Sequence, residues 1–253
     1  MNTTKKYYGI ALIATVALGA LISFKYPFFN KNTPKTHNLG ATQSFFKEKI
    51  AQEEKELINR LKAELGVDLS LTTPSQDHWL GSPTKAQGTE DIYQLVFDVA
   101  QKYNFNADKL SIVLQHSDQG SPASTNSAGQ LLIEMNIFPT LPVSVQRFII
   151  AHELHHILHN DFEETRALNK TLNQKHVSGK AQALLDEYGR FQEKRADVAA
   201  ALRGAEWAQG YLDFAHEGIK RCAQDPGISH PTYKERAALA QTIIDHMHGL
   251  QTV

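Results

Sequence analysis

The chain has 253 residues, 42% hydrophobic and 21% charged, ordinary proportions for a globular protein with one good-sized core. Twenty-six Lys and Arg against 27 Asp and Glu leave a net charge of −1, which gives no electrostatic footprint for nucleic acid. The single cysteine, Cys222, excludes an intramolecular disulfide and a cysteine-based zinc knuckle, and reads as a small buried hydrophobe.

The first element follows Lys5 and Lys6. YYGIALIATVALGALISF, Tyr7 to Phe24, is free of charge, and about 18 residues at a rise of about 1.5 Å nearly span the hydrocarbon core of a bilayer. A cleaved signal peptide needs small residues at −1 and −3, but ending at Ala20 or Ser23 puts Leu18 or Leu21 at −3. Residues 1–24 are therefore expected to be an uncleaved signal anchor, a single pass with the remainder extracytoplasmic. Lysines on both flanks leave the orientation open. Residues 25–88 are expected to be a linker followed by an amphipathic helix. Phe46, Ile50, Leu57, Leu61 and Leu65 fall at helical spacing, and Gly66 ends the run. A Ser-, Thr- and Pro-rich loop with Trp79 follows, in which Trp79 reads as a packing anchor.

Residues 89–253 are expected to form the main domain. Thr89 caps a helix with Ile92, Leu95, Val96 and Val99 on one side. Two short strands follow, Leu110–His116 and Gly129–Met135, separated by a turn-rich loop. Beyond Pro142 the pattern predicts helices over 144–160, 162–173, 179–210, 211–223 and 231–249. The fold class expected is α+β, mostly helical, with a small sheet before the first of these helices.

That helix carries FIIAHELHHILHND, residues 148–161. Two histidine pairs are spaced i, i+4: His152 with His156, and His155 with His159. Each pair lies one turn apart with its members rotated by about 40°, so either can converge on one ion. Glu153 decides between them. In His-Glu-x-x-His the glutamate beside the first histidine reaches the attacking water without ligating the metal. His155 is followed by His156, which leaves the second pair without a base. His159 lies about 10 Å along the axis from His152, too far to share its ion. Ile149, Ile150, Leu154, Ile157 and Leu158 surround the helix with apolar side chains, and burying unpartnered imidazoles there would cost several kcal/mol. One zinc ion per chain on His152 and His156 removes that cost.

A catalytic zinc takes three protein ligands and leaves a fourth position open. In RFQEKRADVAAALRG, residues 190–204, Glu193 and Asp197 are spaced i, i+4 around the small Ala196. This suits Glu193 as a ligand and Asp197 as the carboxylate that orients a ligand imidazole. On spacing alone a solvated face of Glu193, Lys194 and Arg195 stands as an equal alternative.

Three stretches in order, HELHH at 152–156, Arg190-x-x-Glu193-x-x-Ala196-Asp197, and His230-Pro231 to Arg236, together resemble the zinc metalloendopeptidases that include HtpX and the CAAX prenyl endopeptidases, which are gluzincins. The resemblance covers residues 89–249. It implies a zincin-like protease domain, Glu193 as third ligand, His230 near the open position as an oxyanion donor, and Arg236 as a buttress. It also implies that Gly129, Leu131 and Ile133 lie on an edge strand that pairs with an extended peptide. The chain departs from the family in its loose STNSAGQLLIE segment, where an Asn-Ala-Phe type sequence is common, and in the alanine after Arg236. The implied activity is hydrolysis of protein or peptide substrates by metal-activated water, with Glu153 as the base, in quality control of membrane or envelope proteins. The alternatives are a membrane-tethered chaperone-like factor that keeps the zinc for structure, and a latent protease with His230 or the Trp79 loop over the open position.

Overall fold

The computed structural model describes residues 38–66, 90–105, 110–116, 121–175, 179–220 and 230–249. The apolar run Tyr7–Phe24, the linker up to residue 37, the Trp79 loop, Thr89 and Cys222 lie outside them. Among the described residues no helix is long and apolar enough to cross a membrane. The fold is α+β and mostly helical, with one three-stranded sheet. In chain order the elements are α1 (Leu39–Leu65), α2 (Glu90–Lys102), β1 (Ile112–Gln115), β2 (Ala123–Thr125), β3 (Leu131–Glu134), α3 (Val143–His159), α4 (Asp161–Lys175), α5 (Gly179–Ala201), α6 (Ala205–Lys220) and α7 (Tyr233–Met247).

The sheet order is β1-β3-β2, with β3 parallel to β1 and antiparallel to β2. β2 is a strand that the sequence hides inside the Ser- and Gly-rich loop. It turns into β3 through Asn126, whose Oδ1 accepts from the amides of Ala128 and Gln130, both at 3.0 Å. Gly129 adopts φ 69° in this turn, a left-handed conformation that costs glycine nothing. The expected edge strand is therefore corrected. Gly129 belongs to the turn, and Leu131 and Ile133 lie on the central strand with both neighbours paired and their side chains buried. The edges of the sheet are β1 and β2, and β2 packs against α3.

α3 runs through the centre of the molecule, with Phe148, Ile149, Ile150, Ala151, Leu154 and Ile157 all buried. α2, α5 and α6 cover it. The expectation of one helix over 179–210 fails, because α5 ends at Ala201 and α6 begins at Ala205. Gly210 lies inside α6 and serves close approach. A Cβ there would fall 2.4 Å from the Ser144 carbonyl oxygen, so only glycine lets α6 lie on the start of α3. Gly218 does the same for the Tyr233 ring, 2.3 Å from a Cβ at that position. α6 and α7 consequently pack closely along their length. α7 is capped by Thr232, whose Oγ1 accepts from the Glu235 amide at 3.2 Å while Glu235 Oε2 accepts from the Thr232 amide at 2.7 Å. Pro231 thus precedes the cap and is not the first helical residue.

α1 belongs to the same compact unit as the rest, residues 36–253. Phe46 enters the main core, and Leu57, Ile58 and Leu61 form a second cluster with Leu168 of α4 and Leu184, Tyr188 and Phe191 of α5. Of the predicted apolar stripe of this helix, Phe46, Leu57 and Leu61 are buried and Ile50 is partly buried.

Candidate metal centre

His152 and His156 project from the same side of α3 with their Nε2 atoms 2.9 Å apart. Ala196, fully buried on α5, lets the two helices approach closely enough for Glu193 to reach both rings. Glu193 Oε2 lies 3.3 Å from His152 Nε2, and Oε1 lies 3.4 Å from His156 Nε2. One donor atom from each residue falls within 4.8 Å of the other two. Bonds of about 2.0–2.1 Å at tetrahedral angles put ligand atoms about 3.3 Å apart. Two nitrogens and an oxygen at 2.9–3.4 Å therefore fit one tetrahedral divalent ion.

The ring nitrogens facing away from this point are held as well. His152 Nδ1 lies 2.8 Å from Asp197 Oδ1, and His156 Nδ1 bonds Asp161 Oδ2 at 2.7 Å. A carboxylate behind each imidazole favours the tautomer that presents a bare Nε2. The sequence pointed to Asp197 and missed Asp161. The signal was the word after the second histidine, HILHND. Asn160 ends α3 at φ 56°, a left-handed conformation that Asn tolerates, and starts α4 at once. That single-residue corner swings Asp161 back beneath His156.

Two arginines close the cluster. Arg236 of α7 donates from Nη2 to Glu193 Oε2 at 2.8 Å, and its Nε stands 3.1 Å from Asp197 Oδ2. Arg195 of α5 reaches Asp161 with one arm and Glu54 of α1 with the other. Tyr211 donates to Asp197 Oδ2 at 2.9 Å. Burial alone would push the His152 imidazole down, but Asp197 and Glu193 outweigh it and hold it up at about 10. Burial would likewise raise Glu193, yet the His152 and His156 rings and Arg236 hold it far below the usual carboxylate range.

His155 and His159 take no part in this cluster. Their rings lie against one another on another side of α3, centroids 4.1 Å apart and tilted by 33°. Burial above all keeps both neutral, aided at His155 by His159 and then Arg195, and at His159 by Arg195; His159 is held down at about 4 and His155 well below its usual 6.5. Glu153 is half-buried and has no hydrogen-bond or ion-pair partner among the described residues. His230 stands at the open side, 38% exposed, with Nε2 3.4 Å from Glu193 Oε1. The fold thus brings His152, His156, Glu193, Asp197, His230 and Arg236 together, and leaves Gly129 in the turn before β3 and Leu131 and Ile133 in the sheet.

Comparison of the chain with models of known protein families, with characterised proteins and with solved structures returns no match.

Proposed function

We propose that the chain is a zinc-dependent metalloendopeptidase of the gluzincin type, similar in its three motifs to HtpX and the CAAX prenyl endopeptidases. The observation that carries this reading is the convergence of His152, His156 and Glu193, with Glu153 beside them and without a partner among the described residues. His152 Nε2, His156 Nε2 and a Glu193 oxygen would hold one zinc ion. When bound, it supplies Lewis acidity to a peptide carbonyl and to water.

The chain's own residues supply the rest. Asp197 and Asp161 fix the two imidazoles so that neither ring turns its bare nitrogen away. Glu153 accepts the proton of the attacking water and returns it to the departing amine. A carboxylate tied up in an ion pair would be a poorer base, and Glu153 has none among the described residues. His230 donates toward the carbonyl oxygen as it gains charge, and loss of one such donor typically costs about 3 kcal/mol of activation energy. Arg236 holds Glu193 in place and stays off the substrate side. Protein or peptide substrates at a membrane suit the apolar run Tyr7–Phe24. The edge strand that packs on α3, β2, is the one suited to pair with an extended peptide.

The test is metal content together with casein cleavage for residues 36–253, run beside Glu153→Gln. About one zinc per chain in both, with cleavage in the unmutated protein alone, supports the protease. The nearness of His230 to Glu193 also favours a second reading, a latent enzyme whose open position is covered. In that case neither protein cleaves casein, and His230→Ala gains activity.

A further inference from the structure

Helix α1 crosses α5 through several ion pairs, and all but one lie at the surface. Arg60–Glu187, Lys180–Glu64 and Lys194–Glu53 join exposed or half-exposed side chains and touch no candidate ligand. The remaining one leads inward. Glu54 pairs with Arg195, Arg195 pairs with Asp161 Oδ1, and Asp161 Oδ2 accepts from His156 Nδ1 at 2.7 Å. Arg195 and Asp161 are each only 5% exposed. Gln192 holds the Asp161 backbone from the same face, its Nε2 donating to the carbonyl at 3.3 Å.

We propose that Asp161, Arg195 and Glu54 form a positioning chain that makes α1 a working part of the metal centre. The proposal rests on the metal-site reading above and adds to it a residue, a partner and a means of control. Arg195 is the cation seated on the buried Asp161 carboxylate among the described residues. Asp161 Oδ2 accepts from His156 Nδ1 and so turns Nε2 toward the position of the ion. Arg195 in turn is fixed between two carboxylates, and the outer one belongs to α1. Lifting α1 away removes Glu54, frees the guanidinium to turn, and loosens His156. Metal affinity therefore depends on whether α1 is docked.

The experiment measures Zn2+ affinity of the full chain in detergent by competition with a chromogenic chelator. It compares Asp161→Asn, Arg195→Met and Glu54→Gln with Glu53→Gln, which breaks a surface pair between the same helices. Outer carboxylate partners of a ligand histidine typically change affinity by about 10–100-fold. Asp161→Asn is expected in that range, Arg195→Met in the same direction, Glu54→Gln a few-fold weaker than wild type, and Glu53→Gln unchanged. Imidazole 15N spectra of the metal-free protein report His156 directly. Wild type shows the Nδ1–H tautomer, and Asp161→Asn shows a mixture. Glu54 is near the surface, so its variant keeps the test decisive if Asp161→Asn fails to fold. Normal zinc binding in Asp161→Asn and Glu54→Gln with an unmoved tautomer would overturn the chain while sparing the metal site. Absence of zinc from well-folded wild type would overturn the metal-site reading itself, and the coupling with it.

Discussion

Arg236→Met is the substitution whose effect the cluster defines most sharply. Arg236 is 5% exposed and spans two carboxylates, 2.8 Å from Glu193 and 3.1 Å from Asp197. Methionine fills much of the same volume and packs on Phe214, which the guanidinium carbon covers at 5.6 Å. What it removes is the charge. Breaking one side of a buried ionic group typically costs about 3–5 kcal/mol, because the charges left behind have no solvent. At about 2–4 °C per kcal/mol for a domain of this size, the metal-free protein should melt about 6–20 °C lower. Zinc supplies positive charge to the same carboxylates, so saturating metal should recover a large part of the loss. Arg190→Met is the control, since its bidentate pair with Glu235 is exposed and worth about 0–1 kcal/mol. The assay is thermal unfolding by circular dichroism with and without chelator. A metal-free Arg236→Met protein within about 1 kcal/mol of wild type would show that the cluster is solvated, and would remove the basis for treating Arg236 as the anchor of Glu193.

Zinc binding at pH 7 should release about one proton from His152, whose imidazole is held up at about 10 in the metal-free protein; calorimetry in buffers of different ionisation enthalpy measures it, and no release contradicts the cluster. The raised His152 group stabilises the metal-free fold fully below its ordinary 6.5, and this is lost as pH rises toward 10. Depressed Glu193 contributes above its ordinary 4.5 and is lost as pH falls below it, so metal-free stability from this pair should peak between the two values in urea titrations at stepped pH. Gly210→Ala places a Cβ 2.4 Å from the Ser144 carbonyl oxygen and should destabilise by several kcal/mol, read by urea unfolding, because backbone and not a flexible tip must move. Asn160→Ala should cost about 1 kcal/mol and Asn160→Gly much less, since only the left-handed conformation is at stake there.

Local periodicity and short motifs were legible, and long-range pairing was not. His152, Glu153 and His156 stand within five residues, so spacing displays them, whereas Glu193 and Asp197 share one helical face that spacing alone does not distinguish from a solvated one. Glu54 and Arg195 are 141 residues apart, and nothing local ties a surface-looking glutamate in QEEKEL to a buried guanidinium. β2 has three residues, too few for alternation to register, and its presence alone turns β3 from an edge into the centre. Whether a strand is an edge is a property of the assembled sheet. Gly210 shows the same limit in a helix. A glycine that breaks a helix and a glycine that admits a neighbour look alike until the neighbour is in place.

The cluster also explains how such a site persists before it meets a metal. Glu193, Asp197, Asp161 and the outer Glu54 face two guanidiniums, Arg236 and Arg195, so carboxylates outnumber the arginine cations they touch. Asp197 and Glu193 hold the His152 imidazole up at about 10, and the proton it keeps offsets part of that surplus, so the metal-free centre holds itself together. A divalent ion would displace this proton and face the same carboxylates in its place, so proton and metal compete for one position.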